Sequence, residues 1–140
     1  MKAYEFLEHT ADAKFRAYGT SMEEAFGNAA KAVTSMYVDY NKVKPKTAKL
    51  LSVEGKDLKE LLLSFLDFFI LLVEVDGFFL HDIKDIRITR KKGTYHLNAK
   101  ITGDTAEHYP SHGSIKAITY NEMQVKKGRG RAELQVVVDI

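Results

Sequence analysis

Cysteine is absent from the 140-residue sequence. Disulfides, thiolate metal centres and a cysteine nucleophile are therefore excluded. An apolar run long enough to cross a bilayer is lacking as well. The strongest candidate, Leu61 to Val75 (LLLSFLDFFILLVEV), has 15 residues with Asp67 in its middle, against the roughly 20 apolar residues that a span requires. It reads instead as a buried core helix. The opening Met1-Lys2-Ala3-Tyr4-Glu5 has no apolar h-region, so no secretory leader is expected, and the expectation is a soluble, cytoplasmic protein. Internal repeats and low-complexity tracts are also missing. With 45% hydrophobic and 29% charged residues, the chain is too apolar for a disordered one and about the length of one domain, so a single domain over 1–140 is expected.

The patterning predicts the elements. Ala3 to Glu8 and Lys14 to Tyr18 alternate apolar and polar residues and read as two strands, with Gly19 ending the second. Thr20…Glu23 and Ser21…Glu24 both have capping-box spacing. The helix that follows places Met22, Ala25, Phe26, Ala29, Ala30, Val33, Met36 and Tyr37 on one face and is expected to reach about Val38. Pro45 marks a linker. Ala48 to Glu54 reads as a strand, and Asp57 opens the apolar helix to about Val75, which Asp76-Gly77 ends. The rest is β. Ile83, Ile86 and Ile88 share a strand region, Arg90 to Gly93 is a turn, and Tyr95 to Ile101 completes a hairpin. Gly103 to Gly113 reads as a polar loop containing Pro110. Ile115 to Val125 and Ala132 to Val138 are the last strands, joined by a turn at Lys126 to Gly130. This order predicts an α+β fold with two helices packed on a largely antiparallel sheet.

The net charge of +2 hides an asymmetry. Residues 1–83 carry 10 basic and 13 acidic residues, whereas residues 84–131 carry 11 basic and 4 acidic ones. A basic block of this kind can face an anionic partner or form an ordinary solvated set of strand and turn lysines.

Chemistry-bearing residues concentrate at four places. Glu8-His9-Thr10-Ala11-Asp12-Ala13 puts two acids, an imidazole and a hydroxyl on a connection between strands, where scaffolds often carry function and where turn chemistry also favours such residues. At the other end, the strand Val136-Val137-Val138 leads directly into Asp139-Ile140. That brings the Asp139 side chain close to the carboxylate of Ile140. Two carboxylates at a fixed strand end repel unless neutralised, and a hard cation such as Ca²⁺ or Mg²⁺ would do so through oxygen ligands. Asp104, Glu107, His108 and His112 form a third group. Its two histidines are four apart, but Pro110 lies between them and no helical pattern surrounds them, which argues against zinc. His112 and Lys116 could instead present a cation pair to a phosphate at a strand start. Lys126-Lys127-Gly128-Arg129-Gly130-Arg131 fits neither a Walker nor a Rossmann loop and reads as a basic hairpin turn. No nucleophile–base pair is legible, so no catalytic machine is expected.

Three stretches together resemble the archease family: Tyr4-Glu5-Phe6-Leu7-Glu8-His9-Thr10-Ala11-Asp12-Ala13, Lys116-Ala117-Ile118-Thr119-Tyr120, and Val137-Val138-Asp139-Ile140. Their order and spacing match over essentially the whole chain. The resemblance implies a small α+β protein that is not itself an enzyme but assists an RtcB-type RNA ligase in tRNA splicing, by promoting its guanylylation, restoring multiple turnover and broadening its nucleotide use. The partner implied is that ligase, with tRNA and GTP reached through it and no membrane. The implied metal ligands are Asp12, Asp139 and Ile140 around a divalent cation, Ca²⁺ or Mg²⁺. His112 and Lys116 also lie at positions of family motif, and His9, His112 and Lys116 are the implied ligase or phosphate contacts. The sequence departs from the family at Asn121, where many relatives carry His.

Two other classes are compatible with the residues. One is a single-stranded RNA-binding module that uses the basic block with Tyr95 or Tyr109 for stacking. The other is a chaperone-like modulator of RNA-modifying enzymes.

Overall fold

The computed structural model describes residues 1–9 and 11–140. Along the chain come β1 (Tyr4–Leu7), β2 (Ala13–Gly19), α1 (Met22–Ser35), β3 (Thr47–Gly55), α2 (Leu58–Glu74), β4 (Phe78–Lys91), β5 (Thr94–Thr105), β6 (Ala117–Gly128) and β7 (Arg131–Asp139). Short 3-10 turns lie at Tyr40–Lys42 and Ala106–His108. The class is α+β, as the pattern of elements predicts. The strands divide between two antiparallel sheets, β1-β2-β7-β6 and β3-β5-β4.

The helices start where the capping residues predict. Ser21 Oγ accepts from the Glu24 N–H at 3.1 Å, and the Glu24 carboxylate accepts from the Thr20 N–H at 2.8 Å. Asp57 and Glu60 repeat this reciprocal arrangement at α2, so donors left orphaned at each N-terminus are satisfied. At its other end α1 stops at Ser35, short of the expected Val38. The N–H groups of Tyr37 and Val38 both turn back to the Thr34 carbonyl, and Val38 then bridges to Ser111.

Both helices face the sheets. On α1 the small residues Ala25, Ala29, Ala30 and Ala32 are fully buried, and Gly27 lets the helix approach β4 so closely that a Cβ there would sit 3.0 Å from Ile83 and Ile86. On α2 Leu61, Leu62, Phe65 and Leu66 are fully buried, and Phe65 meets Phe26 of α1 at 5.6 Å between ring centroids. The apolar helix is thus central, but its last turns leave Leu71 and Val75 exposed. Asp67 is half-buried, and its carboxyl is pushed up by burial. No helix among the described residues is long and apolar enough to cross a membrane.

The expected polar loop from Gly103 to Gly113 is a correction. Strand β5 continues to Thr105, because buried Phe78, Phe79 and Leu80 open β4 and pair with Thr105, Asp104 and Gly103. Only residues 109–116 then form an open connection to β6.

A candidate functional site at the end of the four-stranded sheet

Strand β7 is central in its sheet, with β2 on one side and β6 on the other. Its core-facing residues Leu134, Val136 and Val138 are fully buried, and that burial fixes the register, since a one-residue slip would expose the whole set. The register places Ala13 opposite Val138 on one side and Ile118 opposite Val138 on the other. Asp12 and Asp139 each lie one residue beyond that rung, at the same end of the β2–β7 ladder. On the other flank Asp139 pairs with Ala117, and the Lys116 N–H donates to the Asp139 carbonyl at 2.8 Å. The first and last segments of the sequence are therefore neighbours at one sheet end, where Asp12, Asp139, Ile140 and Lys116 gather. Asp12 and Asp139 are half-buried, Lys116 is exposed, and Ile140 is 46% exposed.

His9 stands on the connection that leads to Asp12. Its Nε2 lies 3.0 Å from a Glu122 carboxylate oxygen, and Lys14 Nζ donates to the other oxygen at 3.1 Å. His9 and Lys14 flank the segment that carries Asp12, so one carboxylate holds it from both sides. These hydrogen bonds, from His9 first and then Lys14, keep the Glu122 carboxyl below its ordinary range. Glu122 reaches them from a bulge: between Thr119 and Gln124 strand β6 advances five residues while β7 moves only from Val137 to Gln135. Within the bulge Glu122 has a left-handed backbone, φ 53°, and its carbonyl accepts from Gln135 Nε2 at 2.8 Å. Gln135 in turn accepts from Arg16 Nε at 3.0 Å. Thr10 lies outside the described residues.

Glu122 is absent from the sequence-based site, and the sequence signals only the bulge that carries it. The buried apolar residues Ile118 and Met123 of β6 are five apart, an odd spacing that a regular strand cannot keep on one face. Asn121, the departure from the family pattern, is exposed on the same bulge, and its N–H lies 3.3 Å from Thr119 Oγ1.

The remaining candidates separate. His112 and Lys116 are both exposed, but His112 is tied to the end of α1, where its N–H donates to the Tyr37 carbonyl at 2.7 Å. Beside it Gly113 has φ +68° and passes so near α1 that a Cβ would meet the Met36 carbonyl at 2.7 Å. Asp104 is buried and receives the Tyr109 hydroxyl at 2.7 Å, the Thr105 N–H at 2.8 Å and His108 Nδ1 at 3.3 Å. The Tyr109 bond, followed by the Thr105 and His108 bonds, lowers its pKa. Tyr109 also accepts from the Lys44 N–H at 2.9 Å, so this group pins the 3-10 turn to the linker. Glu107 is exposed. Among the described residues no three His, Asp or Glu side chains are grouped as metal ligands. The two tyrosines weighed for base stacking are engaged within the fold: Tyr109 as described, and Tyr95 beneath the Arg90 guanidinium at 5.5 Å.

Residues 4–140 match the model of the Archease protein family (MTH1598/TM1083). The chain is similar to a protein archease of Methanosarcina mazei, 40% identical over 143 residues that cover 99% of this chain and 97% of that one. It is also similar to a protein archease of Pyrococcus abyssi, 39% identical with both chains fully covered. Among solved structures, the solution structure of Methanobacterium thermoautotrophicum protein 1598 superposes over the whole of both chains with a TM-score of 0.82 and 29% identity. A Thermotoga maritima protein described as an archease and possible chaperone shares the fold, with a TM-score of 0.58 at 20% identity over 96% of this chain and 94% of that one.

Proposed function

This chain belongs to the archease family, and from that premise we propose that it is a non-catalytic accessory protein that activates an RtcB-type RNA ligase in tRNA splicing. In this reading it promotes guanylylation of the ligase, sustains multiple turnover and widens nucleotide use. The observation that carries the reading is the register of β7, which gathers Asp12, Asp139 and Ile140 at one sheet end although they come from opposite ends of the sequence.

The donor set suits a hard divalent cation. Two aspartate carboxylates and the carboxylate of Ile140 offer oxygen alone, without imidazole or thiolate, and this favours Ca²⁺ or Mg²⁺ over zinc. When bound, the cation would neutralise carboxylates that otherwise repel one another. The protein's own contribution is positional. Pairing on both flanks holds β7, and Glu122 holds His9 and Lys14 on either side of Asp12, so the proposed ligands lie at or next to the ends of paired strands. The tip formed in this way is the surface we assign to the ligase. Lys116 stands exposed beside it for a phosphate or a ligase carboxylate, and His9 stands on the connection that leads to Asp12. His112, held at the end of α1, would belong to a wider contact.

The test is a guanylylation and ligation assay of the cognate ligase with and without this protein. Stimulation supports the reading. Identical kinetics in both conditions would exclude it.

A further inference from the structure

The outer face of the β3-β5-β4 sheet has nothing packed on it: Leu50, on β3, is 82% exposed. The register shows which residues share that face. Lys84 of β4 stands directly opposite Lys100 of β5, which stands opposite Leu50. The next rungs place Arg87 opposite Asn98, Thr89 opposite His96, and Lys91 opposite Thr94. Like charges directly opposite in an antiparallel pair are destabilising, so the Lys84–Lys100 rung works against the fold. Among the described residues Lys84, Arg87, Lys91 and Lys100 have no ion-pair partner. The acids on the face are Glu54, which lies 3.5 Å from His96, and Asp82, which stands opposite Thr102 and pairs with Lys31 at 3.4 Å, while Asp85 is exposed in the bulge between Lys84 and Arg87.

A β-bulge arranges this line of charge. Between Lys84 and Arg87 strand β4 carries an extra residue, with Asp85 in a left-handed conformation at φ 54°. Without that residue, alternation would turn Ile86 outward after Lys84. With it, Ile86 packs inward against the core and Arg87 takes the outer position. Of the four rungs, each about 6.8 Å from the next, the first, second and fourth carry cations, and the third is Thr89 opposite His96, so the line extends over about 20 Å with one gap.

We propose that this sheet face is a docking surface for the phosphate backbone of duplex RNA. An extended line of cations without ion-pair partners fits a partner whose negative charge repeats along a rod. An acidic protein surface would ask for an apolar anchor at the centre of the contact, and Leu50, at the end of the line, is the single large apolar residue on the face. Unstacked single strands would ask for aromatic platforms, and the face carries no Phe, Tyr or Trp. Contacts limited to phosphates hold a duplex by charge and shape without reading its sequence. The choice of RNA over DNA rests on the ligase reading above; the phosphate chemistry does not.

The experiment is fluorescence anisotropy of a labelled RNA hairpin against the full chain across a salt series. Binding should weaken steeply with salt. In the Lys84→Gln/Arg87→Gln/Lys100→Gln variant the log–log salt slope should drop by about three, one per cation removed. The control variant Lys126→Gln/Lys127→Gln/Arg131→Gln, with the same charge change on the β6–β7 hairpin, should keep the wild-type slope. Equal losses in the two variants, no salt-dependent binding by the wild type, or displacement of the RNA by polyglutamate at matched charge would each overturn the proposal. Guanylylation of the ligase without RNA, measured on the wild-type protein, reports on the ligase reading separately.

Discussion

At the scale of single residues, a few carboxylates have different tasks. In the proposed function Asp12 and Asp139 are ligands of a cation. Substitution of either by Ala should abolish calcium binding in titration calorimetry while the melting temperature in chelator stays near that of the parent, since both side chains are only half-buried. Unchanged calcium affinity in both variants would remove them from the site. Glu122 acts indirectly, through His9 and Lys14. Its carboxyl titrates below the ordinary glutamate range in the folded protein, so the stabilisation it gives is present above that range and is lost as the pH falls through the depressed value. Melting curves of Glu122→Gln should therefore run flatter with pH on the acid side than those of the parent, and its calcium affinity should fall without vanishing. A parallel acid limb would show that the contact with His9 and Lys14 contributes nothing measurable. Of these residues, Asp139 is singled out in the sequence by the apolar strand that leads into it, and Asp12 by the family resemblance of the first stretch. Glu122 is not legible as a site residue, because a partner 113 positions away from His9 is set by pairing that no local pattern encodes. The odd spacing of Ile118 and Met123 signals only that a bulge exists.

At the scale of elements, the helices are the most legible part. Their reciprocal caps and apolar faces stand within a few residues of one another, so local chemistry fixes where they begin. Their ends are less legible: α1 closes early because Tyr37 and Val38 turn back to Thr34 and Val38 is drawn into a bridge with Ser111. Strand β5 outruns its pattern for a comparable reason, since Asp104 is polar in sequence but buried and satisfied by Tyr109, Thr105 and His108. The core assignment of α2 has a direct check. Leu66 is fully buried, so Leu66→Ala should cost about 2–5 kcal/mol in chemical denaturation. Phe65→Asp should prevent stable folding, because an unpaired charge cannot be accommodated there. A variant of either kind with the parent's denaturation midpoint would contradict the packing described.

At the scale of the whole molecule, the division into two sheets separates two surfaces. The β1-β2-β7-β6 sheet ends in the carboxylate tip, and the β3-β5-β4 sheet presents a bare basic face. Nothing in the strand pattern tells which strands share a sheet: β2 and β7 pair across almost the full sequence, whereas β4 and β5 pair as neighbours. The basic block of residues 84–131 is visible in the sequence as composition, and only the register shows that part of it forms one line. In the proposed function, the tip formed by Asp12, Asp139 and Ile140 activates an RNA ligase. The most direct measurement is multiple-turnover ligation by the cognate RtcB-type enzyme, comparing this protein with a version extended by several residues after Ile140. The expected result is product in excess of ligase when the chain ends at Ile140, and a return to the level of ligase alone with the extended version, which moves the terminal carboxylate away from Asp12 and Asp139. Equal stimulation by both versions, or none by either, would contradict it.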